Sequence, residues 1–341
     1  MDHQVKLQSS GKQFIVRDDE TILDAALRQG IVLPYSCRTG SCGTCKARIV
    51  SGSVDHGDYE ADALSEQERQ DGMALLCQSR AESDLEVDAR ELLAAEEIQI
   101  RMLPCRVVRL ERLAHDVMGV HLKLPQNQSF NFLPGQYIDI LLRDGRRRSF
   151  SIANPPGEHA ILELHIRRVP DGNFTSHVFE SMKEGDLLRF QGPLGTFFLR
   201  DDARRPLLLM AGGTGMAPIK AIIEGAFREA ARLPMHLFWG VRARRDLYMA
   251  DELEAWRRSH DNFQYTVALS EPAAEDAWDG RRGWVHEALL ERYPDLEDYD
   301  VYASGPPPMI DAARAAFSRH GLPADQLFYD SFEFAADVPR R

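Results

Sequence analysis

The sequence lacks several features that define broad classes of protein. It contains no run approaching the roughly 20 apolar residues of a membrane-spanning helix, so we predict no membrane span. The start of the chain has no apolar signal core, and we expect a cytoplasmic location. Lys and Arg number 41 against 53 Asp and Glu, which gives a formal net charge of -12. Because phosphate binding needs clustered Lys and Arg, we expect no nucleic-acid partner.

Cysteine is also scarce, and five cysteines are too few for a disulfide scaffold of this size. Four of them form the pattern C-x4-C-x2-C-x31-C, namely Cys37, Cys42, Cys45 and Cys77. The first three have the spacing of a plant-type [2Fe-2S] loop, in which small residues let backbone N–H groups approach the sulfurs. A structural zinc site is the alternative, but zinc ribbons usually pair two separate C-x2-C knuckles. We therefore predict an iron–sulfur cluster, with Cys105 outside the ligand set.

The segment from Pro34 to Cys45 resembles the ferredoxin family. The resemblance implies that Cys37 and Cys42 hold one iron, and that Cys45 and Cys77 hold the other. A reducing compartment suits this ligand set.

Three changes of pattern along the chain predict three domains. Residues 1–96 alternate short strands with one helix over 22–27, capped by Thr21, which is typical of a β-grasp ferredoxin domain. A linker is expected near 94–97. Residues 101–202 are rich in strands, with a hairpin turn at Asp144-Gly145, and predict an antiparallel β-barrel. Residues 203–341 alternate strands and helices, including a helix over about 216–231, and predict a parallel-sheet α/β nucleotide domain.

A short basic motif follows the predicted hairpin. Arg148-Ser149-Phe150-Ser151 resembles the R-x-[FY]-S signature of the ferredoxin–NADP reductase superfamily. The resemblance implies that Arg148 binds the flavin pyrophosphate, Phe150 packs on the cofactor and Ser151 hydrogen-bonds near flavin N5. The planar fork of arginine suits phosphate. A solvated basic hairpin tip is the alternative.

A second segment of the same region supports the flavin interpretation. Residues 172–176 resemble the family's G-x-x-[ST] phosphate loop, which opens a helix whose N–H groups and dipole favour anions. The cofactor-binding residues implied here are His165, Ile166, Arg167, Gly172, Phe174, Thr175 and Ser176. A ferredoxin domain that precedes the flavin domain resembles the FAD-using reductases, so the resemblance favours FAD over FMN.

Three glycine-containing segments follow predicted strands in the last domain. Glycines between a strand and a helix let the backbone approach a diphosphate, although a tight turn without a ligand is the alternative. Two later segments match the same family and fall at carboxyl ends of strands, where open parallel sheets bind ligands. The predicted nicotinamide-site residues are Gly212, Gly213, Thr214, Gly215, Gly240, Arg242, Tyr248, Gly305, Pro306 and Met309.

The choice between NADH and NADPH depends on a basic group. Arg242, Arg244 and Arg245 would suit the 2'-phosphate of NADPH, or they form a solvated helix face. We favour NADH, with NADPH as the alternative.

The segment Tyr329-Asp330-Ser331-Phe332 resembles the family's terminal aromatic-acidic segment. The resemblance implies that an aromatic ring, here Phe332, covers the flavin before nicotinamide enters. A core strand residue is the alternative. Ser151 and Phe332 are thus the candidate catalytic residues.

The resemblance covers nearly the whole chain and is to reductases with an N-terminal ferredoxin domain. The nearest groups are the CDP-6-deoxy-Δ3,4-glucoseen reductase-like proteins and the reductase components of oxygenases. A nicotinamide gives up two electrons as a hydride and a [2Fe-2S] cluster accepts one, so flavin must lie between them. We expect electrons to pass from NAD(P)H through FAD and the cluster to a partner, either a dehydratase or an oxygenase component. A redox-sensing module that merely holds the cofactors is the alternative of another class.

Overall fold

The computed structural model describes residues 2–95, 98–157, 161–229 and 232–332, and its contacts divide the chain into two units, 1–99 and 100–341. Each unit has its own sheets and its own core. The predicted linker at 94–97 falls at the end of the first unit, where Leu93–Ala95 forms a 3-10 turn, and residues 96 and 97 lie outside the described residues.

The first unit is a five-stranded sheet with strand order β2-β1-β7-β3-β5 and a helix against one face. The predicted helix forms because Thr21 accepts a hydrogen bond from Asp24 N at 3.1 Å, which satisfies a free N–H of the first turn. Its Ile22 and Leu23 are fully buried. The elements are β1 His3–Leu7, β2 Gln13–Val16, α1 Ile22–Arg28, β3 Lys46–Ser51, β4 Val54–Asp55, α2 Glu66–Gln70, β5 Met73–Leu75, β6 Arg80–Ala81 and β7 Leu85–Asp88.

The second unit begins with a six-stranded antiparallel sheet of order β11-β10-β13-β8-β9-β12. A bridge between Ile152 and Leu164 joins its two outer strands, so the sheet closes into the predicted barrel. The predicted turn at Asp144-Gly145 links β10 to β11, with Gly145 at φ +84°. The elements are β8 Arg101–Ala114, β9 Val117–Lys123, β10 Tyr137–Leu141, β11 Arg147–Ser151, β12 Ile161–Arg167, α3 Asn173–Glu180 and β13 Leu187–Leu194.

The rest of the second unit is a parallel sheet of order β17-β16-β15-β14-β18-β19. Alternate residues of its central strand face opposite cores: Leu209 packs with α4 and α5, whereas Leu208 packs with α6 and α7. The elements are β14 Leu207–Gly212, α4 Met216–Arg228, β15 Met235–Val241, α5 Ala250–Ser259, β16 Phe263–Leu269, β17 Arg281–Arg282, α6 Val285–Arg292, β18 Asp300–Gly305, α7 Pro307–Arg319 and β19 Leu327–Ser331.

The predicted fold class is confirmed, because β-grasp, antiparallel barrel and parallel α/β sheet follow one another in the expected order. The helix expected over about 216–231 ends at Arg228, with Glu229 as its C-cap, and residues 230 and 231 lie outside the described residues. Within the described part of the chain, no helix has the length and apolar character needed to cross a membrane.

Candidate functional site

The four cysteines come together at one end of the β-grasp sheet. Cys37, Cys42 and Cys45 lie on the loop between α1 and β3, and Cys77 follows β5. A hydrogen bond from Leu76 N to Cys45 O at 3.2 Å joins the two segments. Gly40 has φ +79°, and a Cβ there would lie 2.8 Å from the carbonyl oxygen of Asp58. The loop therefore takes a path that requires glycine at this position.

The thiols are arranged as two pairs. The hydrogen bond with Cys42 lowers the pKa of Cys37 to about 4, and the same bond together with burial raises that of Cys42. Cys45 and Cys77 form the second hydrogen-bonded pair, which lowers the pKa of Cys77. Thr39 N also donates to Cys37 Sγ at 3.4 Å. Donors directed at sulfur are suited to thiolate ligands of a cluster.

This pairing fits two irons better than one zinc ion. Tetrahedral zinc would bring all four sulfurs within roughly 4 Å of one another, given Zn–S bonds of about 2.3 Å. The thiols are instead linked in two separate pairs, Cys37 with Cys42 and Cys45 with Cys77. Two thiolates per iron is the arrangement of a [2Fe-2S] cluster, and the residues present fit that group.

Cys105 lies apart from these ligands in the barrel strand β8. Its side chain is buried, and burial raises the pKa of its thiol to about 12. A thiol of this kind is unreactive at neutral pH.

In the second unit, the two predicted flavin segments meet. Phe150 of β11 and Phe174 of α3 have ring centroids 5.6 Å apart. The N-cap of α3 is Gly172, which makes no side-chain capping bond to the first turn of the helix. Arg148 lies two residues before Phe150 on β11. An arginine on β11 and the N-terminus of α3 are groups that suit the pyrophosphate of FAD.

Other predicted flavin residues have structural partners. Thr175 Oγ1 accepts from Val169 N at 3.1 Å and thereby fixes the turn before α3, and Ser176 N donates to Gly172 O within the helix. The Ile166 side chain is fully buried in the barrel core, so only its backbone is available to a ligand. Arg167 donates through Nε to Asp116 at 2.7 Å. The predicted roles of these residues in binding remain predictions.

Ser151 has a partner that the sequence analysis did not assign. Its hydroxyl donates to Asp330 Oδ2 at 3.4 Å, and both side chains are buried. Asp330 belongs to β19, 179 residues further along the chain. Asp330 belongs to the terminal aromatic-acidic segment, but no local feature of the sequence indicates that it contacts β11.

The predicted nicotinamide residues line up along one edge of the parallel sheet. Gly212 pairs with Gly240 on β15, and Gly305 ends β18 on the other side. A Cβ on Gly212 would lie 2.4 Å from Met309 Sδ, and one on Gly215 would lie 2.1 Å from Ser304 O. Gly215 therefore excludes any larger residue, whereas a larger residue at 212 would require Met309 to move. The three segments lie together at the carboxyl ends of the parallel strands, where such sheets bind ligands in a crevice.

The glycine turn itself is shaped for a close ligand. Gly213 has φ +54°, and its missing Cβ would stand 2.9 Å from Arg167 Nη1. The turn Gly213–Gly215 leads directly into α4, whose N-cap Gly215 makes no side-chain bond. Beside the turn, the hydroxyl of Ser304 is fully buried and has no hydrogen-bond partner among the described residues. Backbone N–H groups and an orphaned hydroxyl fit a polar nucleotide.

Three further predicted residues lie around this crevice. Arg242 is exposed just after β15, and Pro306 is the N-cap of α7. The hydroxyl of Tyr248 lies 3.2 Å from His165 Nδ1, so these two predicted cofactor residues contact each other. Gly240 is required by packing, because a Cβ there would lie 2.7 Å from Val285 Cβ of α6.

Phe332 directly follows β19, and its N–H donates to Gly305 O at 2.9 Å. This bond ties the candidate lid residue to the end of β18, next to Asp330 and Ser151. Its ring is half-buried. The position is compatible with a residue that covers a ligand, and its catalytic role remains a prediction.

Comparison with known proteins identifies all three regions. Residues 5–82 match the 2Fe-2S iron-sulfur cluster binding domain, residues 104–199 the oxidoreductase FAD-binding domain, and residues 209–315 the oxidoreductase NAD-binding domain. These matches define an NAD(P)H-dependent iron–sulfur flavoprotein oxidoreductase.

Relatives that match almost the whole chain show which group of such oxidoreductases it belongs to. It is 40% identical to the CDP-6-deoxy-L-threo-D-glycero-4-hexulose-3-dehydrase reductase of Yersinia pestis, over 96% of this chain and 98% of that protein. It is 33% identical to the reductase component 1 of terephthalate 1,2-dioxygenase from Comamonas sp, over 97% of this chain and 98% of that protein. The crystal structure of an Amycolatopsis cytochrome P450 reductase is similar to this chain, with a TM-score of 0.78 and 34% sequence identity. The similarity covers 97% of this chain and 98% of that reductase. The chain therefore belongs to the ferredoxin–NAD(P)H reductase superfamily, in the group with an N-terminal [2Fe-2S] domain.

The predicted family, enzyme class and three types of domain are thus confirmed.

Proposed function

We propose that this chain carries electrons from NADH through FAD and a [2Fe-2S] cluster to a CDP-6-deoxyhexulose 3-dehydrase. The observation that carries the proposal is the 40% identity to the Yersinia pestis reductase, which extends through all three domains. Reductase components of oxygenases are similar at lower identity, 33% for the Comamonas protein. An oxygenase component is therefore the second candidate partner.

The cofactors supply chemistry that the side chains lack: a nicotinamide releases a hydride, FAD accepts it and releases electrons singly, and the cluster carries one electron. In our proposal, the four cysteines hold the cluster. Arg148 and the N-terminus of α3 hold the FAD pyrophosphate. Ser151 orients the flavin edge with Asp330 as its hydrogen-bond acceptor at 3.4 Å. The glycine turn at 212–215 and Gly305 hold the nicotinamide nucleotide.

We propose NADH as the donor because of the charges near the end of β16. Glu271 lies two residues after this strand, and its N–H donates to Arg242 O at 2.8 Å. An acidic residue in such a position can accept from a ribose 2'-hydroxyl and repels a 2'-phosphate. Arg244 Nη1 donates to Asp276 O at 3.1 Å, which ties this guanidinium to the loop that follows β16. Glu271→Gln should therefore narrow the preference for NADH over NADPH, measured as the ratio of kcat/KM values.

A reconstitution experiment tests the proposed partner. The purified holoprotein, NADH and a CDP-6-deoxyhexulose 3-dehydrase with its substrate are mixed without oxygen, and NADH oxidation is followed at 340 nm. We expect NADH consumption that requires both the dehydrase and its substrate. Consumption that instead requires an oxygenase component and oxygen would favour the second candidate.

A spectrum and a simple assay test the redox chemistry itself. The holoprotein should show flavin bands with a broad red shoulder from the cluster, and NADH should bleach both. Sustained cytochrome c reduction by NADH is expected of an electron-transfer enzyme. A redox-sensing module would bind the cofactors but would show negligible sustained turnover. We also propose a cytoplasmic location, because four thiolate ligands suit a reducing compartment.

A further inference from the structure

A chain of buried and half-buried side chains connects the barrel and the parallel sheet of the second unit. It starts on α4, where the Lys220 side chain is 11% exposed and its ammonium has three acceptors. Nζ lies 3.1 Å from Ala153 O, 3.1 Å from Glu163 Oε2 and 3.2 Å from Glu224 Oε1. An ammonium has three protons, so this set satisfies it fully.

Glu163 lies at the centre of this chain, on the barrel strand β12. Its Oε2 accepts from Lys220, and its Oε1 lies 2.8 Å from His165 Nε2. Burial opposes ionisation of the carboxyl, but the His165 bond and the charge of Lys220 lower its pKa to about 2. Glu163 is therefore a carboxylate that joins a helix of the nucleotide-binding part to a strand of the barrel.

The chain continues from His165 to the glycine turn. His165 Nδ1 lies 3.2 Å from the hydroxyl of Tyr248, whose ring packs edge-on against Trp239 with centroids 5.2 Å apart. The buried Trp239 donates through Nε1 to Gly213 O at 3.0 Å. Gly213 is the residue of the predicted nicotinamide turn that has positive φ.

The two ends of the chain are backbone carbonyls of the proposed flavin and nicotinamide sites, Ala153 O and Gly213 O. Ala153 lies two residues after Ser151 on the flavin side, and its N–H donates to Glu163 O at 2.7 Å. Gly213 lies on the nicotinamide side. We propose that Glu163 is a positioning residue for hydride transfer. Its charge holds the segment Ser151–Ala153 at a fixed distance from the Gly213–Gly215 turn. The inference rests on the proposed transfer from NADH to FAD.

The physical reason is the sensitivity of hydride transfer to distance. A displacement of about 1 Å between reacting groups can slow a reaction roughly 100-fold while binding is preserved. In Glu163→Gln, the neutral amide loses the charge that pairs with Lys220 and offers an N–H where a second acceptor is needed. Each cofactor should keep its own contacts, but the two should no longer be held at one separation.

The experiment compares Glu163→Gln with wild type as FAD-loaded, cluster-loaded holoproteins. Stopped-flow measurement of flavin reduction over a range of NADH concentrations separates the limiting rate from the NADH dissociation constant. We expect the limiting rate to fall about tenfold or more, with the NADH and FAD dissociation constants within about twofold of wild type. The long-wavelength charge-transfer absorbance of the reduced protein with NAD+ should weaken, and hydrogen exchange at the amides of 153 and 213–216 should accelerate.

A matched control and a second variant keep the test decisive. Glu254→Gln removes a carboxylate that pairs with Arg257 and Arg258 on the surface of α5. It should leave the limiting rate, both dissociation constants, the charge-transfer absorbance and the hydrogen exchange unchanged. Tyr248→Phe keeps the ring and removes one hydroxyl. It should also lower the limiting rate of flavin reduction, but by a smaller factor than Glu163→Gln. This variant decides the question if Glu163→Gln does not fold.

A wild-type limiting rate and charge-transfer band in the variants, even with a lower Tm, would show a structural role alone and overturn the inference. Failure of NADH to reduce the wild-type flavin would instead contradict the proposed function.

Discussion

The cluster loop of the first unit and the nicotinamide crevice of the second are built in different ways. Three of the four proposed cluster ligands come from nine consecutive residues, 37–45, and the fourth follows a neighbouring strand. The crevice takes its residues from the ends of β14, β15 and β18, which span residues 212–305. The first site is a property of one loop, whereas the second is a property of a whole sheet.

This difference determines what a single substitution can do. In our proposal each thiolate of the cluster loop is an indispensable ligand, so one change should remove the cofactor entirely. In the crevice, we propose that binding is divided among backbone N–H groups, a guanidinium and packing contacts, so one change should weaken nucleotide binding by a limited factor.

Cys42→Ser should abolish the cluster and leave the flavin in place. Cytochrome c reduction by NADH should fall about 100-fold or more, because single-electron exit through the cluster is lost. Ferricyanide reduction should largely survive, since the flavin can supply that acceptor directly. Cys105→Ser is the control and should retain the cluster spectrum. Persistent cytochrome c reduction in Cys42→Ser would contradict a linear route through the cluster.

Arg148→Ala should weaken FAD binding but not eliminate it. Loss of a charge-assisted hydrogen bond worth about 1.5–3 kcal/mol should raise the FAD dissociation constant roughly 10–100-fold. The measurement is a fluorescence titration of the apo-flavoprotein with FAD, with the cluster spectrum as an internal reference. Arg146→Ala is a matched control, because this side chain pairs with Asp144 at the hairpin tip. An unchanged FAD affinity in Arg148→Ala would favour the interpretation of a solvated hairpin.

The same contrast explains how far the sequence could predict the molecule. The four cysteines, the helix capped by Thr21 and the order of the three domains depend on residues close together in the chain, and local spacing indicated them. The segments around Arg148, Gly172 and Gly213 were also recognisable, because each is a short motif with a physical reason for its glycines or its arginine.

The partners of those motifs were not recognisable, for a physical reason as well. Asp330 reaches Ser151 across 179 positions, and Lys220 reaches Glu163 across 57. A lone acidic or basic residue on a strand or helix has no local signature of burial, and only the packing of the barrel against the parallel sheet creates these pairs. Likewise, Gly240 was assigned to the nucleotide, yet the structure shows that close packing of α6 already requires it.

Gly213→Ala should have a moderate effect that is specific to the nucleotide. A positive φ costs an alanine about 1–2 kcal/mol, and the new methyl group would also press on Arg167. We expect the NADH dissociation constant to rise about tenfold, because the displaced turn no longer presents its N–H groups. Gly185→Ala is the control: it has φ +99° and nothing within 4 Å of its Cβ position, so it should lower stability without changing NADH affinity. Equal NADH affinities in the two variants would contradict a nucleotide role for the turn.

The smallest predicted effect is a loss of folding stability at acid pH. It concerns the interior of the parallel sheet, away from the edge where we propose that the nucleotide binds. His236 is buried in β15, with Nδ1 2.9 Å from Tyr293 Oη and Nε2 2.9 Å from Thr266 Oγ1. Burial lowers its pKa from 6.5 to about 4, so the folded protein favours the neutral ring. The resulting stabilisation is complete above pH 6.5, where the unfolded chain is also neutral, and it is lost as pH falls from 6.5 towards 4.

At pH 5.5, one unit below the ordinary pKa, the loss should be about 1 kcal/mol. Urea unfolding at pH 7.5 and 5.5 measures it, with His236→Gln as the reference because glutamine can keep hydrogen bonds to Tyr293 and Thr266 without titrating. The wild-type free energy of unfolding should fall more than that of the variant by this amount, while NADH affinity at pH 7.5 stays equal in both. Since His236 lies within the sheet and not at its carboxyl edge, a change in NADH affinity would show that the interior and the crevice are coupled. Equal falls in wild type and variant would show that His236 is not the group whose protonation weakens the fold.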